Sequence, residues 1–221
     1  MSAARGRRVG DSGTREAIAD AARAQFASHG YHGATIRAIA AAAGVDPALV
    51  HHYYGTKESL FAAAMRLPVV PSEVLAAALE PAARAARSGP GFGELMVQTA
   101  LTLWESDELS DTFLGLLRSA VTSEQAAVML SEFIADSIFA TLARVAGLET
   151  PKNSPEAEYR ISMVATQMLG LALTRMVLGL PAVADASVDD LAATVGPAID
   201  RYLTGEIPVP ARRRRRRAGG H

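Results

Sequence analysis

The chain has 221 residues, 49% of them hydrophobic, with 22 Lys and Arg against 23 Asp and Glu and no cysteine. That length holds one small domain and a larger one, and the missing thiols exclude a disulfide framework and a thiolate metal site. The opening stretch MSAARGRRVGDSG has no apolar signal-peptide core, so a cytoplasmic protein is expected.

Taken in chain order, Arg5, Arg7 and Arg8 make residues 1–13 a basic arm, expected to be disordered. A first helix carries Ile18, Ala22 and Phe26 and stops at His29-Gly30. Thr35 starts a short helix in which Ile36, Ile39, Ala40 and Ala43 recur at helical spacing, so one stripe faces a core while Arg37 points outward. Gly44 ends it and Val45 plugs the corner. Asp46-Pro47 restarts a helix, an N-cap carboxylate followed by a proline that loses no hydrogen bond at the first helical position. Leu49 and Val50 turn inward; Pro47, Ala48, His51 and His52 face solvent. Two short helices meeting at a tight glycine turn form a helix-turn-helix, whose outward face enters the DNA major groove.

From about Arg15, through AIADAARAQFASHGYHGATIRAIAAAAGV to DPALVHHYYGTKESLF, the chain resembles the N-terminal domain of the TetR (tetracycline-repressor-like) family of transcriptional regulators. The resemblance covers roughly the first quarter of the chain. It implies that Tyr53 and Lys57 contact phosphate or, for the Tyr53-Tyr54 pair, pack as core aromatics. His51 stands where the family usually has a phosphate-contacting tyrosine.

Beyond Thr56 the chain reads as helices separated by breakers. Thr56 caps a helix to about Leu67, ended by Pro68 and Pro71, and another runs from Ser72 to Arg87. After Ser88-Gly89-Pro90-Gly91 come helices at about Gly93–Glu105 and Asp107–Ser119. Thr122-Ser-Glu-Gln125 has capping-box spacing and starts a long helix to about Ala146. Ser154-Pro155 opens another, to about Leu180, where Pro181 ends it; Ser187 caps a last helix to about Thr204. No strand pattern competes, and the most apolar segment, Ile161 to Val183, is broken by Gln167, Arg175 and Pro181, which argues against a membrane span. The expected fold is all-α: a three-helix helix-turn-helix domain at 14–60, then a larger helical ligand-binding and dimerisation domain at 61–204, with 205–221 a disordered arginine-rich tail.

The family layout, with which this ordering agrees, implies that the C-terminal helices bind a small-molecule effector and form a homodimer. Residue chemistry offers a candidate surface for each. Ile161, Met168, Leu171 and Leu178, with Leu191, Val195 and Ile199 on the final helix, are more apolar surface than two terminal helices need, so a self-associating four-helix bundle is expected. Met96, Trp104, Phe113, Leu117, Phe133 and Met163 with Arg118 and Gln167 suit a pocket for a mostly hydrophobic molecule, although such stripes are more often plain core. Arg175, inside an apolar helix, calls for Asp136, Glu132 or a ligand carboxylate, or else snorkels to the surface.

No nucleophile elbow, phosphate-binding glycine loop or zinc motif is present, and the adjacent histidines point about 100° apart on a helix, so neither catalysis, nor a cofactor, nor a bound metal is expected. The expected protein is a homodimeric repressor on a palindromic double-stranded operator, with Thr35, Lys57 and Tyr53 on phosphates and Ala48, His52 and His51 near base edges. A nonspecific DNA-binding or scaffold protein, with its C-terminal domain on a protein partner, is the other reading. Arg212 to Arg217 adds a basic run; without those six arginines the formal charge of −1 falls to −7, so basic ends flank an acidic body. That run reads either as an electrostatic arm for DNA or as a compositional accident.

Overall fold

The computed structural model describes residues 9–86 and 91–210. Arg5, Arg7 and Arg8, the Ser88-Gly89-Pro90 break and the Arg212–Arg217 run lie outside the described residues. Every regular element among the described residues is helical, in agreement with the all-α expectation.

Helices follow their local signals closely. The first, α1 (Val9–Gly33), is interrupted at Gly30, where φ is 74°. Next come α2 (Ile36–Ala43), α3 (Pro47–Tyr54) and α4 (Lys57–Ala64), each capped as expected. The side-chain oxygens of Thr35, Asp46 and Thr56 accept the N–H groups of Ala38, Ala48 and Ser59, each satisfying one orphan donor. Gly44 closes α2 in the left-handed region (φ 69°).

Later boundaries show where local signals mislead. Pro71 opens α5 (Pro71–Ala86) instead of ending the helix before it, because proline suits the first turn. After α6 (Phe92–Trp104), α7 (Ser110–Thr122) runs three residues past its expected end. Thr122 cannot cap the next helix: its hydroxyl donates back to the Arg118 carbonyl at 2.9 Å, and Ser123 caps α8 (Glu124–Phe133) instead. The long helix to Ala146 contains a π-helical stretch, Ile134–Phe139, before α9 (Ala140–Ala146). Similarly α10 (Pro155–Ala172) passes into π-helical Leu173–Val177, in which the Leu178 N–H donates five residues back to Leu173 at 2.8 Å. Pro181 then opens a short α11 (Pro181–Ala184), and Ser187 caps α12 (Val188–Thr204).

Two compact units emerge, interleaved in sequence. The first runs up to Val74 and also takes Thr102–Ile138; the second is Leu75–Leu101 with Phe139 onward. In the first unit, α1, α2 and α4 enclose Ile18, Ala22, Phe26, Ile39, Leu60 and Phe61, all fully buried. Helix α8 seals that core with Met129 and Phe133. The second unit is built on the packing of α10 along α12. There Asp200 of α12 accepts the Gly93 N–H at the start of α6 (2.8 Å), and Gln98 donates to Asp189 at 2.9 Å. A Cβ on Gly93 would lie 2.1 Å from the Gly196 carbonyl, so the two backbones touch at that crossing.

Arg175 donates to the carbonyls of Val183, Ala184 and Ala186 at 2.7, 3.2 and 2.8 Å, so its guanidinium caps the end of α11. Among the described residues, Glu124–Ala146 is the one helix long and apolar enough to cross a membrane by length and composition, and Ile161 to Val183 is not among such helices, as expected. Glu124–Ala146 includes Met129 and Phe133, which lie in the core of the first unit.

Candidate nucleic-acid interface

Recognition by a helix-turn-helix needs a second helix that is anchored on one side and bare on the other. Helix α3 fits: Val50 is its buried residue (1% exposed), while Ala48, His51 and His52 are exposed and Pro47 is half-buried. Leu49, expected inward, is half-buried. Arg37 stands exposed on α2. The Thr35 hydroxyl oxygen is committed as the N-cap of α2 at 3.1 Å from the Ala38 nitrogen.

The aromatic residues after the histidines divide the work of anchoring. Tyr53 packs part-buried against the core and meets the His52 ring edge-on, centroids 5.4 Å apart. Tyr54 donates its hydroxyl to the Arg15 carbonyl at 2.6 Å, while the Arg15 guanidinium sits 5.5 Å over its ring. Burial raises the Tyr54 hydroxyl above the usual tyrosine value. Arg15 thus ties α1 to α3, a role that nothing in the local sequence signals, since its partner is 39 residues away.

Lys57, expected on phosphate, has internal neighbours in the free chain. Its ammonium lies 4.7 Å from the Tyr31 ring centroid and points at the His32 carbonyl, 3.5 Å away. Burial lowers its proton affinity, while Asp136 and Glu132 act in the opposite sense. This lysine faces the joint of α1 with α8. In the same joint the His32 Nε2 lies 2.8 Å from Asp136, and Glu132 accepts the His32 N–H at 2.9 Å. Neither carboxylate was legible as a partner of His32, because 100 residues and more separate them.

The residues expected to form an effector pocket are drawn from both units. Trp104, Phe113, Leu117, Arg118 and Phe133 belong to the first unit, and Met96, Met163 and Gln167 to the second. Trp104 stacks on Phe113 at 4.7 Å, Leu117 is buried and Arg118 is exposed. Phe133 stacks on Phe61 at 4.3 Å inside the helix-turn-helix core, which makes it a structural residue there. In the second unit Met96 is buried, and Met163 lines an open cleft of about 490 Å³ with Tyr159, Pro197 and Tyr202. Gln167 donates to the Tyr202 hydroxyl at 3.5 Å.

The expected dimer stripe also needs correction. Ile161, Met168, Leu171, Leu191 and Ile199 are buried within the protomer and Val195 is half-buried; of the seven only Leu178 is exposed, at 65%. The cause is the packing of α10 on α12, which consumes that stripe inside the chain. Among the described residues, the large apolar side chains left in solvent are Leu169, Val177, Leu178 and Leu180 in the second unit, and Val121 and Val128 in the first.

Two family models match the chain. The model for bacterial regulatory proteins of the tetR family matches residues 18–64. The model for the tetracyclin repressor-like C-terminal domain matches residues 91–203, half of the chain. The chain belongs to the TetR family of transcriptional regulators. Its N-terminal region is 43% identical over 60 residues to the HTH-type transcriptional repressor AcnR of Corynebacterium glutamicum, covering 26% of this chain and 32% of that protein. It is 46% identical over 52 residues to the HTH-type transcriptional regulator BetI of Rhizobium meliloti, covering 24% of this chain and 26% of that protein. The matched region thus spans about a third or less of the length of these curated relatives. A crystal structure of a TetR-family regulator from Streptomyces coelicolor A3 is 35% identical, with 90% of this chain and 98% of that one covered and a TM-score of 0.45.

Proposed function

We propose that this TetR-family regulator is a cytoplasmic homodimeric repressor that leaves a palindromic operator when a mostly hydrophobic small molecule binds its C-terminal domain. The observation that carries the DNA reading is α3: capped by Asp46, pinned through Val50, and bare at Ala48, His51 and His52. Its N-terminal residues approach base edges, and Arg37 approaches the backbone.

Dimerisation is supported by the exposed apolar residues Leu169, Val177, Leu178 and Leu180 at the end of α10 and just after it. Effector control is supported by α8, which fills the helix-turn-helix core with Phe133 and continues through a π-helical turn into the second unit. Such turns are concentrated at functional sites. A ligand that displaces this helix acts directly on the reading head, and a preference of a few kcal/mol for one state is enough for release.

Selection of fragments from a random DNA pool by the full chain, at near-physiological salt, tests the reading. An enriched palindrome supports it; uniform, salt-sensitive binding with no enrichment favours a nonspecific DNA-binding role and overturns it.

A further inference from the structure

The ring of His51 is held by an unusual piece of backbone. Helix α3 ends at Gly55, whose φ of 68° and ψ of −72° turn the chain within one residue, with the Thr56 N–H donating to the Tyr54 carbonyl at 2.7 Å. This conformation suits glycine, and it brings the Gly55 carbonyl to 3.1 Å from the His51 Nδ1. A carbonyl oxygen only accepts, so Nδ1 carries the hydrogen and donates it. The tautomer is thereby set: in the neutral ring Nε2 bears the lone pair. Because the side chain is exposed and its Nδ1 is engaged, Nε2 is the atom left for an outside partner.

Position along the helix decides what that partner is. Residues at the start of a recognition helix meet base edges, and His51 lies four residues after Pro47, about 6 Å further along. That turn approaches the phosphate backbone, whose oxygens are acceptors. A neutral His51 would set one lone pair against another; a protonated one donates from Nε2 while Nδ1 stays on Gly55.

The charged groups on the elements packed against α3 have contacts of their own or stand in solvent, and Arg15 of α1 lies over the Tyr54 ring. Asp46 is occupied with the Ala48 N–H, Lys57 with the Tyr31 ring and the His32 carbonyl, and Glu58 with the Ser72 hydroxyl. Arg37 of α2 is exposed, and the neighbouring His52 lies against Tyr53.

We infer that His51 is a proton-linked phosphate contact: each protomer takes up one proton at the His51 Nε2 as its recognition helix docks on DNA. This rests on the operator-binding reading above. The proton comes from solvent, and the imidazolium it forms donates one charge-assisted hydrogen bond to a phosphate oxygen. For a dimer the affinity then rises by up to about a hundredfold per pH unit lowered, the limiting slope for two linked protons.

The test is titration of the full chain with its selected operator between pH 8 and pH 6 at constant ionic strength. Calorimetry in buffers of different ionisation enthalpy counts the protons directly. Expected are rising affinity at lower pH with an uptake of up to one proton per protomer, both abolished in His51→Gln and both kept in His29→Gln and His32→Gln. A thermal melt of His51→Gln matching the parent shows that the fold is intact; should it unfold, the proton count of the parent beside His29→Gln and His32→Gln decides. A palindromic operator bound with a flat pH profile, or a slope that survives His51→Gln, overturns the inference while leaving the repressor reading standing. Failure to enrich any operator removes both.

Discussion

Glu132 of α8 accepts the backbone N–H of His32 at 2.9 Å, two residues past the Gly30 break in α1. The same carboxylate closes over Gly30, where an added Cβ would lie 2.9 Å from its Oε2. One side chain thus reads the geometry of the α1 end, which leads directly into the Thr35 cap of the helix-turn-helix. Gly30→Ala must both adopt a positive φ and displace that carboxylate. We expect a loss of about 1–2 kcal/mol, checked by urea denaturation.

The aromatic core predicts a larger effect from a residue outside the motif. Phe133 stacks on Phe61 and meets Tyr31 edge-on at 5.5 Å. Phe133→Ala should cost about 3–5 kcal/mol and weaken DNA binding with it. Arg118→Ala, on an exposed side chain, should leave the denaturation midpoint unchanged.

Alkaline stability follows from two opposite shifts. Burial raises the Tyr31 hydroxyl above its ordinary value of 10.0, so the folded chain keeps that proton at a pH where the unfolded chain releases it. The stability from Tyr31 is fully present below pH 10.0 and is lost as the pH climbs through its raised folded value. Lys57 is lowered from 10.5 by burial, so the unfolded chain holds more protons and stability rises with pH toward that value. Denaturation midpoints measured from pH 8 to pH 11 should therefore fall less steeply in Tyr31→Phe than in the parent. In Lys57→Met the alkaline fall should be steeper.

Exposure separates the proposed dimer surface from the core. Leu169→Asp with Leu178→Asp should shift the chain toward monomer in sedimentation while preserving its helical circular dichroism. Ile161→Asp, at a fully buried position, should unfold it instead. If the double variant sediments as the parent does, the exposed end of α10 is not the dimer surface.

The helix-turn-helix was legible because its instructions are local. Thr35, Asp46 and Thr56 each cap the helix that directly follows, Gly44 closes α2 in place, and the Ile39, Ala40 and Val50 stripe needs only helical periodicity to be seen. Ser154 and Ser187 were legible for the same reason. At Thr122 the capping-box spacing misled, because its back-bond to α7 leaves the cap of α8 to Ser123. The face of α10 was legible as the stripe of Ile161, Met168 and Leu171, with Met168 buried at 6% exposure and the adjacent Leu169 49% exposed, but not what covers that face.

The sequence by itself determined the helical class, the caps, the glycine turns and the reading head, since each depends on hydrogen bonds and backbone angles spanning a few residues. Tertiary structure decided which apolar stripe was spent inside the protomer, that Phe133 belongs to the DNA-binding core, and that Lys57 and Arg175 answer internal partners. Those outcomes depend on which helices meet. Apolar burial has no direction along the chain, so periodicity names the buried face of a helix only after its neighbour is known.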